Sequence, residues 1–366
     1  MKIRPIAFVL PQFHPIPEND EWWGEGFTEW TNVKKAKPLF KGHYQPHVPT
    51  ELGYYDLRDE EARENQAKLA QEYGIHGFCF YHYWFNSKRL LNYPIDEILR
   101  LQKPQMPFML CWANENWTRT WDGLDKHILI KQEYSEEDDR NHMRWLCENV
   151  FSDPRYIKVN DCPVFLVYRF DLFPDINRTA QVWREVAKTE FGYKDLYLGY
   201  TESFNTRVRP NDIGFDAAIE FSPHQIIKNK FIGGIFSRVL NKLGLNKFNQ
   251  LDVRDYKKGV EESINRELPD YKLFRCVTPS WDNTARKSKQ GAIAVGSSPN
   301  YYEYWMKCLL NKIQRYSKDE NFIFINAMNE WAEGNHLEPC TKYGTGYLRA
   351  TKNALEEFEL KSTTNV

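Results

Sequence analysis

Read from its N-terminus, the chain alternates short, continuously apolar runs with longer stretches in which apolar residues recur every three or four positions. Eight such runs stand out: Pro5 to Leu10, Gly77 to Tyr81, Phe108 to Trp112, Val164 to Val167, Leu196 to Tyr200, Ala217 to Phe221, Leu273 to Val277 and Phe322 to Ala327. The spacing between them, as in Glu60 to Tyr73 and Ala180 to Phe191, predicts amphipathic helices. Strands apolar on both faces belong to parallel sheets covered by helices, and eight of them predict closure into a single (β/α)8 TIM barrel over residues 1–366. The alternative, a doubly wound open sheet, would gather its polar residues at one switch point. Here every run ends in polar or aromatic residues, and no Gly-x-Gly-x-x-Gly or Gly-Lys-Ser/Thr phosphate loop is present.

Two stretches break the rhythm. Pro15 to Asp56 makes a long loop after the first strand, rich in Trp and Glu, and loops of that length inside a compact domain usually carry function. The second insertion, at about 224–271, separates the sixth and seventh strands. Its basic part, 228–258, includes Phe231-Ile232-Gly233-Gly234-Ile235-Phe236-Ser237-Arg238-Val239-Leu240, which fits an amphipathic helix. Such a helix is a candidate peripheral contact with a membrane or an assembly complex, although a lid or a solvated excursion is the preferred reading.

Composition narrows the function. Lys and Arg number 49 against 50 Asp and Glu, a net charge of -1, so no basic field exists to hold nucleic acid. Aromatic residues make up 15% of the chain, with 12 Trp, 21 Tyr and 23 Phe. Flat amphipathic rings suit sugar faces, and equally a large core. The seven cysteines are scattered singly, which predicts reduced thiols. The opening apolar run is short and closed by Pro11, too brief for a signal peptide, and the expectation is a cytoplasmic protein.

The densest chemistry lies at the mouth of the last strand, Asn326-Ala327-Met328-Asn329-Glu330-Trp331-Ala332-Glu333-Gly334-Asn335-His336-Leu337-Glu338-Pro339. Glu330 and Glu333 are three apart, so a helical turn would face both into one cavity. Two carboxyl groups in a partly apolar pocket suffice to cleave a glycosidic bond, one protonating the leaving oxygen and the other acting as base or nucleophile. Trp331 would supply an apolar wall, and Asn329 a sugar-hydroxyl contact.

Further candidate substrate contacts lie at the other strand ends. Trp30, Trp112, Trp117 and Trp281, together with Trp22 and Trp23, are candidate stacking platforms, about half of which should prove to be core. Glu29 in the first loop would grip hydroxyls or tune the pair, whereas Glu25 reads better as a surface residue. Asn114, Glu115, His82, Tyr83, Tyr168 and Glu220 would offer hydrogen bonds. His14, His82, His224 and His336 show none of the close His spacings of barrel metallohydrolases, so neither a metal nor another cofactor is expected. A Gly-x-Ser-x-Gly elbow is also missing.

Asn329-Glu330-Trp331-Ala332-Glu333-Gly334 followed by Leu337-Glu338-Pro339 resembles the signature of the WbsX polysaccharide-biosynthesis family, which is related to glycoside hydrolase family 99. The segments Trp22-Trp23-Gly24-Glu25-Gly26-Phe27-Thr28-Glu29-Trp30-Thr31-Asn32-Val33 and Cys111-Trp112-Ala113-Asn114-Glu115-Asn116-Trp117-Thr118-Arg119 look like the same family's other motifs. The resemblance covers nearly the whole chain, from about Pro5 to Tyr347. It implies a (β/α)8 barrel acting without metal on an α-linked, mannoside-like glycoside with retention. In the mechanism it implies, the sugar's own 2-hydroxyl is the internal nucleophile, Glu330 its base and Glu333 the acid/base at the glycosidic oxygen. It also implies an oligo- or polysaccharide substrate and a setting in O-antigen or capsule metabolism.

Members similar to this chain are often labelled glycosyltransferases, yet the sequence has no Asp-x-Asp to hold a nucleotide diphosphate through a metal. Cleavage or transglycosylation is therefore preferred over sugar-nucleotide transfer. A non-catalytic carbohydrate-binding component of a polysaccharide assembly system is the remaining alternative.

Overall fold

The structure, a computed structural model, describes residues 2–119, 124–227, 251–314 and 316–364. Its parallel strands close into a (β/α)8 barrel: β1 (Arg4–Val9), β2 (Gly77–Phe85), β3 (Phe108–Trp112), β4 (Cys162–Val167), β5 (Tyr197–Thr201), β6 (Ala217–Ile219), β7 and β8 (Phe322–Ile325). β7 comes in two pieces, Leu273–Phe274 and Cys276–Val277. The first pairs with β6 (Ala218 opposite Leu273) and the second with β8 (Cys276 opposite Phe324). Between them Arg275 keeps its carbonyl in the sheet, accepting Phe324 N–H at 2.9 Å, and turns its guanidinium onto Glu220. The first and last strands complete the ring, Arg4 opposite Phe322.

The apolar runs become strands because both faces are covered. Every residue of β3 and of β5 is buried, the barrel interior on one side and helices on the other. The expected helix Ala180 to Phe191 begins earlier, at Ile176, because Asp175 caps it by accepting Arg178 N–H at 3.0 Å. β2 runs past Tyr81 to Phe85 and turns back as a short hairpin with Lys88–Leu90. The seven cysteines are free thiols, most of them buried.

The long loop after β1 forms two short helices, Pro17–Trp23 and Glu29–Lys35, and folds over the barrel mouth. There His43 and Gln45 meet the Asp282 carboxylate beyond β7 at 2.7 and 2.9 Å. Of the second insertion, Asp252–Asp255 pairs in parallel with Ala292–Val295, and helix Tyr256–Ile264 packs against the helices Ser222–Ile226 and Pro299–Asn311. Residues 228–250, with the basic helix expected at Phe231 to Leu240, lie outside the described residues. Among those described, no helix is long and apolar enough to cross a membrane.

Candidate active site

The site is built on a turn that the end of β8 cannot avoid. Asn329 presents its amide edge to Leu10 at the end of β1, accepting Leu10 N–H at 2.8 Å and donating to Leu10 O at 3.0 Å. Asn329–Glu330 then pairs antiparallel with Asn335–His336, leaving Trp331–Glu333 as a single 3₁₀ turn closed by Gly334. The tight turn sends Glu330 and Glu333 into the same cavity, about 360 Å³ in volume, at the C-terminal mouth of the barrel. Ala332 between them points its N–H at the Glu29 carboxylate, 3.0 Å away.

Arg286, on the short helix Thr284–Lys287 after β7, ties these carboxylates together. Its Nη2 donates to Glu29 at 2.7 Å and to Glu330 at 3.0 Å, and its Nη1 donates to Glu333. Burial, with the neighbouring Glu333 charge adding to it, pushes the Glu330 carboxyl well above the usual range, and Arg286 only partly offsets this. Burial loosens the Arg286 guanidinium's hold on its proton, but the charges of Glu29, Glu333 and Glu330 outweigh that and raise it, so Arg286 stays a fixed cation.

Tyr83, Glu115, Trp117, Tyr168 and Trp281 line the cavity beside the pair. Burial raises the phenols of Tyr83 and Tyr168, which remain hydrogen-bond donors. Glu115 is raised by burial as well, against the pull of Arg169 at 2.7 Å. Sequence reasoning missed Tyr81 and Arg286. Tyr81 was signalled by strand alternation, since it shares a face of β2 with Tyr83. The Arg286 signal was weaker, a cation near a rim that gathers three carboxylates.

The other candidate contacts do not line the cavity. Asn114 brackets Arg169 as Asn329 brackets Leu10, accepting its N–H at 2.8 Å and donating to its carbonyl at 2.7 Å. A side-chain amide suits a peptide group as well as a sugar hydroxyl, and here both asparagines are spent on strand ends. His82 faces outward from β2 onto His142, 3.0 Å between ring nitrogens, and burial holds it neutral with its pKa lowered to about 3. Trp112 and Trp30 donate to the carbonyls of Trp84 and Tyr55 at 3.2 and 2.7 Å and are core. Trp331 stacks on His336 at 3.7 Å and donates to Glu338 at 2.6 Å, so it wedges the turn from behind. Glu220 is fully buried between Arg275 and Arg266, at 2.8 and 3.0 Å. Glu29 is fully buried beneath Arg286 and faces the turn's backbone. Among the described residues, no group of three or more His, Cys, Asp or Glu is placed to hold a metal ion.

Solved structures share this architecture. The chain superposes on a glycoside hydrolase-like protein with a TM-score of 0.62 at 13% identity, covering 97% of this chain and 94% of the other. It superposes on the GH99 endo-alpha-mannosidase from Bacteroides thetaiotaomicron, in complex with bis-tris-propane, with a TM-score of 0.56 at 13% identity, covering 99% and 98%. The fold is thus a barrel of the kind found in glycoside hydrolases. The chain belongs to the WbsX glycosyltransferase family, whose model matches residues 5–351. It is 42% identical over 357 residues to an uncharacterized protein, WxcX, from two strains of Xanthomonas campestris pv. campestris, covering 96% of this chain. The chain spans about half of that relative's length, 49%.

Proposed function

We propose that the chain is a glycan-active enzyme that cleaves or transfers at an α-linked, mannoside-like glycoside, using Glu330 and Glu333 with retention. One observation carries the reading: the two glutamates open into one aromatic-lined cavity, and burial makes Glu330 hold its proton more tightly than an ordinary carboxylate. A carboxylate of raised basicity suits removal of a hydroxyl proton, the base role at the sugar 2-hydroxyl, while Glu333 serves the glycosidic oxygen as acid and then base. Tyr83 and Tyr168 would donate to sugar hydroxyls, and Trp117 and Trp281 would offer flat faces. Family membership and the fold shared with an endo-alpha-mannosidase support an oligo- or polysaccharide substrate.

The test is incubation of the purified protein with capsule or O-antigen glycan from its host, read by mass spectrometry beside Glu333→Gln and Glu330→Gln. Fragments or redistributed chain lengths with the wild type, lost at least a hundredfold in either variant, are the expected result. The family's transferase description supports a second reading, sugar-nucleotide-dependent transfer. A thermal shift with a sugar nucleotide and unchanged glycan would favour that reading, and a shift with intact glycan alone would favour a binding protein.

A further inference from the structure

The two glutamates are not held by the barrel alone. Glu330 and Glu333 stand on one turn, and each gives one oxygen to Arg286, Oε2 of Glu330 and Oε1 of Glu333. Among the described residues these are the hydrogen bonds the two carboxylates make, and both side chains line the cavity. Arg286 in turn lies on Glu29, which comes from a different part of the chain, the first helix-bearing loop after β1. Glu29 is fully buried. Its Oε1 takes both the guanidinium and the N–H of Ala332, the residue between the working glutamates, and its Oε2 has no hydrogen-bond partner. A buried carboxylate bonded through only one oxygen is costly to keep, and a well-packed apolar residue would fill the volume without that cost. Its geometry makes sense as a brace: it fixes Arg286 and the turn's backbone with the same atom.

We infer that Glu29 and Arg286 are positioning residues that aim Glu330 and Glu333 by one oxygen each and set the balance of charge around Glu330. The inference deepens the reading of the two glutamates as the working pair. The titratable and charged groups facing Glu330 are Glu333 from its own turn, Glu29 from the β1 loop, Arg286 from the loop after β7, and Tyr81 and Tyr83 from β2. Lys287 lines the same cavity. Of these, Glu29 raises the proton affinity of Glu330 and Arg286 lowers it. Removing the Glu29 charge also frees more of the Arg286 field for Glu330, so both consequences of Glu29→Gln act in one direction. Arg286→Gln acts in the other. A purely structural brace would lower stability in both variants and leave the titration where it was.

The experiment is a carboxyl-carbon NMR titration of glutamate-labelled protein, with the Glu330 signal assigned by its loss in Glu330→Gln. Glu29→Gln is expected to move the Glu330 midpoint to lower pH, and Arg286→Gln to higher pH, by about one pH unit or more each. Both variants are first checked for a cooperative melt. If Arg286→Gln does not fold, Arg286→Lys keeps the charge but cannot bridge three carboxylates, and a smaller upward movement is expected. Midpoints that stay put in folded variants, or that move the same way in both, overturn the inference. Because no turnover is read, a failed glycan assay leaves it standing, and unmoved midpoints leave the proposed activity standing.

Discussion

Glu338 is a carboxylate held entirely by neutral donors: Gln66 at 2.6 Å, the Trp331 indole at 2.6 Å and the Tyr55 hydroxyl at 2.9 Å. Burial outweighs those bonds and raises its pKa to about 7. A carboxyl raised on folding stabilises the protein fully below its unfolded value near 4.5, and that contribution is lost as pH rises through about 7. Its size is on the order of 3 kcal/mol. Glu338→Gln should therefore melt below the wild type at pH 5, with the gap closing by pH 8; a gap constant with pH would show that Glu338 does not titrate in this range. At this scale the sequence was legible in residue type more than in direction. Asn114, Asn329, Trp112 and Trp331 were recognisable as rim residues, but an amide or indole serves a backbone carbonyl as readily as a sugar. Which partner it meets depends on a face, and the β2 alternation, with Tyr81 and Tyr83 inward and His82 outward, was the clue that one sequence contained.

The turn after β8 depends on Gly334. Its φ of +56 is the left-handed region, and a Cβ there would meet Asp282 Cβ at 2.9 Å with Asp282 backbone atoms at 3.2 Å. Asp282 cannot retreat, because its N–H donates to Glu333 O at 2.6 Å and its carboxylate is held by His43 and Gln45. Gly334→Ala should lower stability by about 1–3 kcal/mol by denaturant melt and displace Glu333, so that glycan turnover falls more than the melt alone explains. A turn that accepts alanine with both properties intact would show that the crowding is relieved cheaply. The expectation of a helical turn carrying both glutamates was close to the 3₁₀ turn observed. The division of β7 was not anticipated, though the run Leu273 to Val277 contains its cause: Arg275, a charged residue in an apolar strand, which survives there because Glu220 meets it.

Across the whole molecule the eight strands were the most legible feature, since a sheet covered on both faces writes unbroken apolar runs into the chain. Buried polar residues need partners, and one such group is Glu220 with Arg275 and Arg266, which also reaches Glu202 at 2.7 Å. Glu220→Ala leaves two buried guanidinium groups short of a counterion and should cost about 3–5 kcal/mol in chemical denaturation. A loss below about 1 kcal/mol would mean that water or Glu202 replaces it. The bracket between Asn329 and Leu10 joins residues 319 apart in sequence. A contact of that separation carries a large loop-closure entropy and forms late. During synthesis on the ribosome, then, β1 must wait for almost the entire chain before its end is capped, and the carboxylate pair exists only once the last strand has emerged and docked.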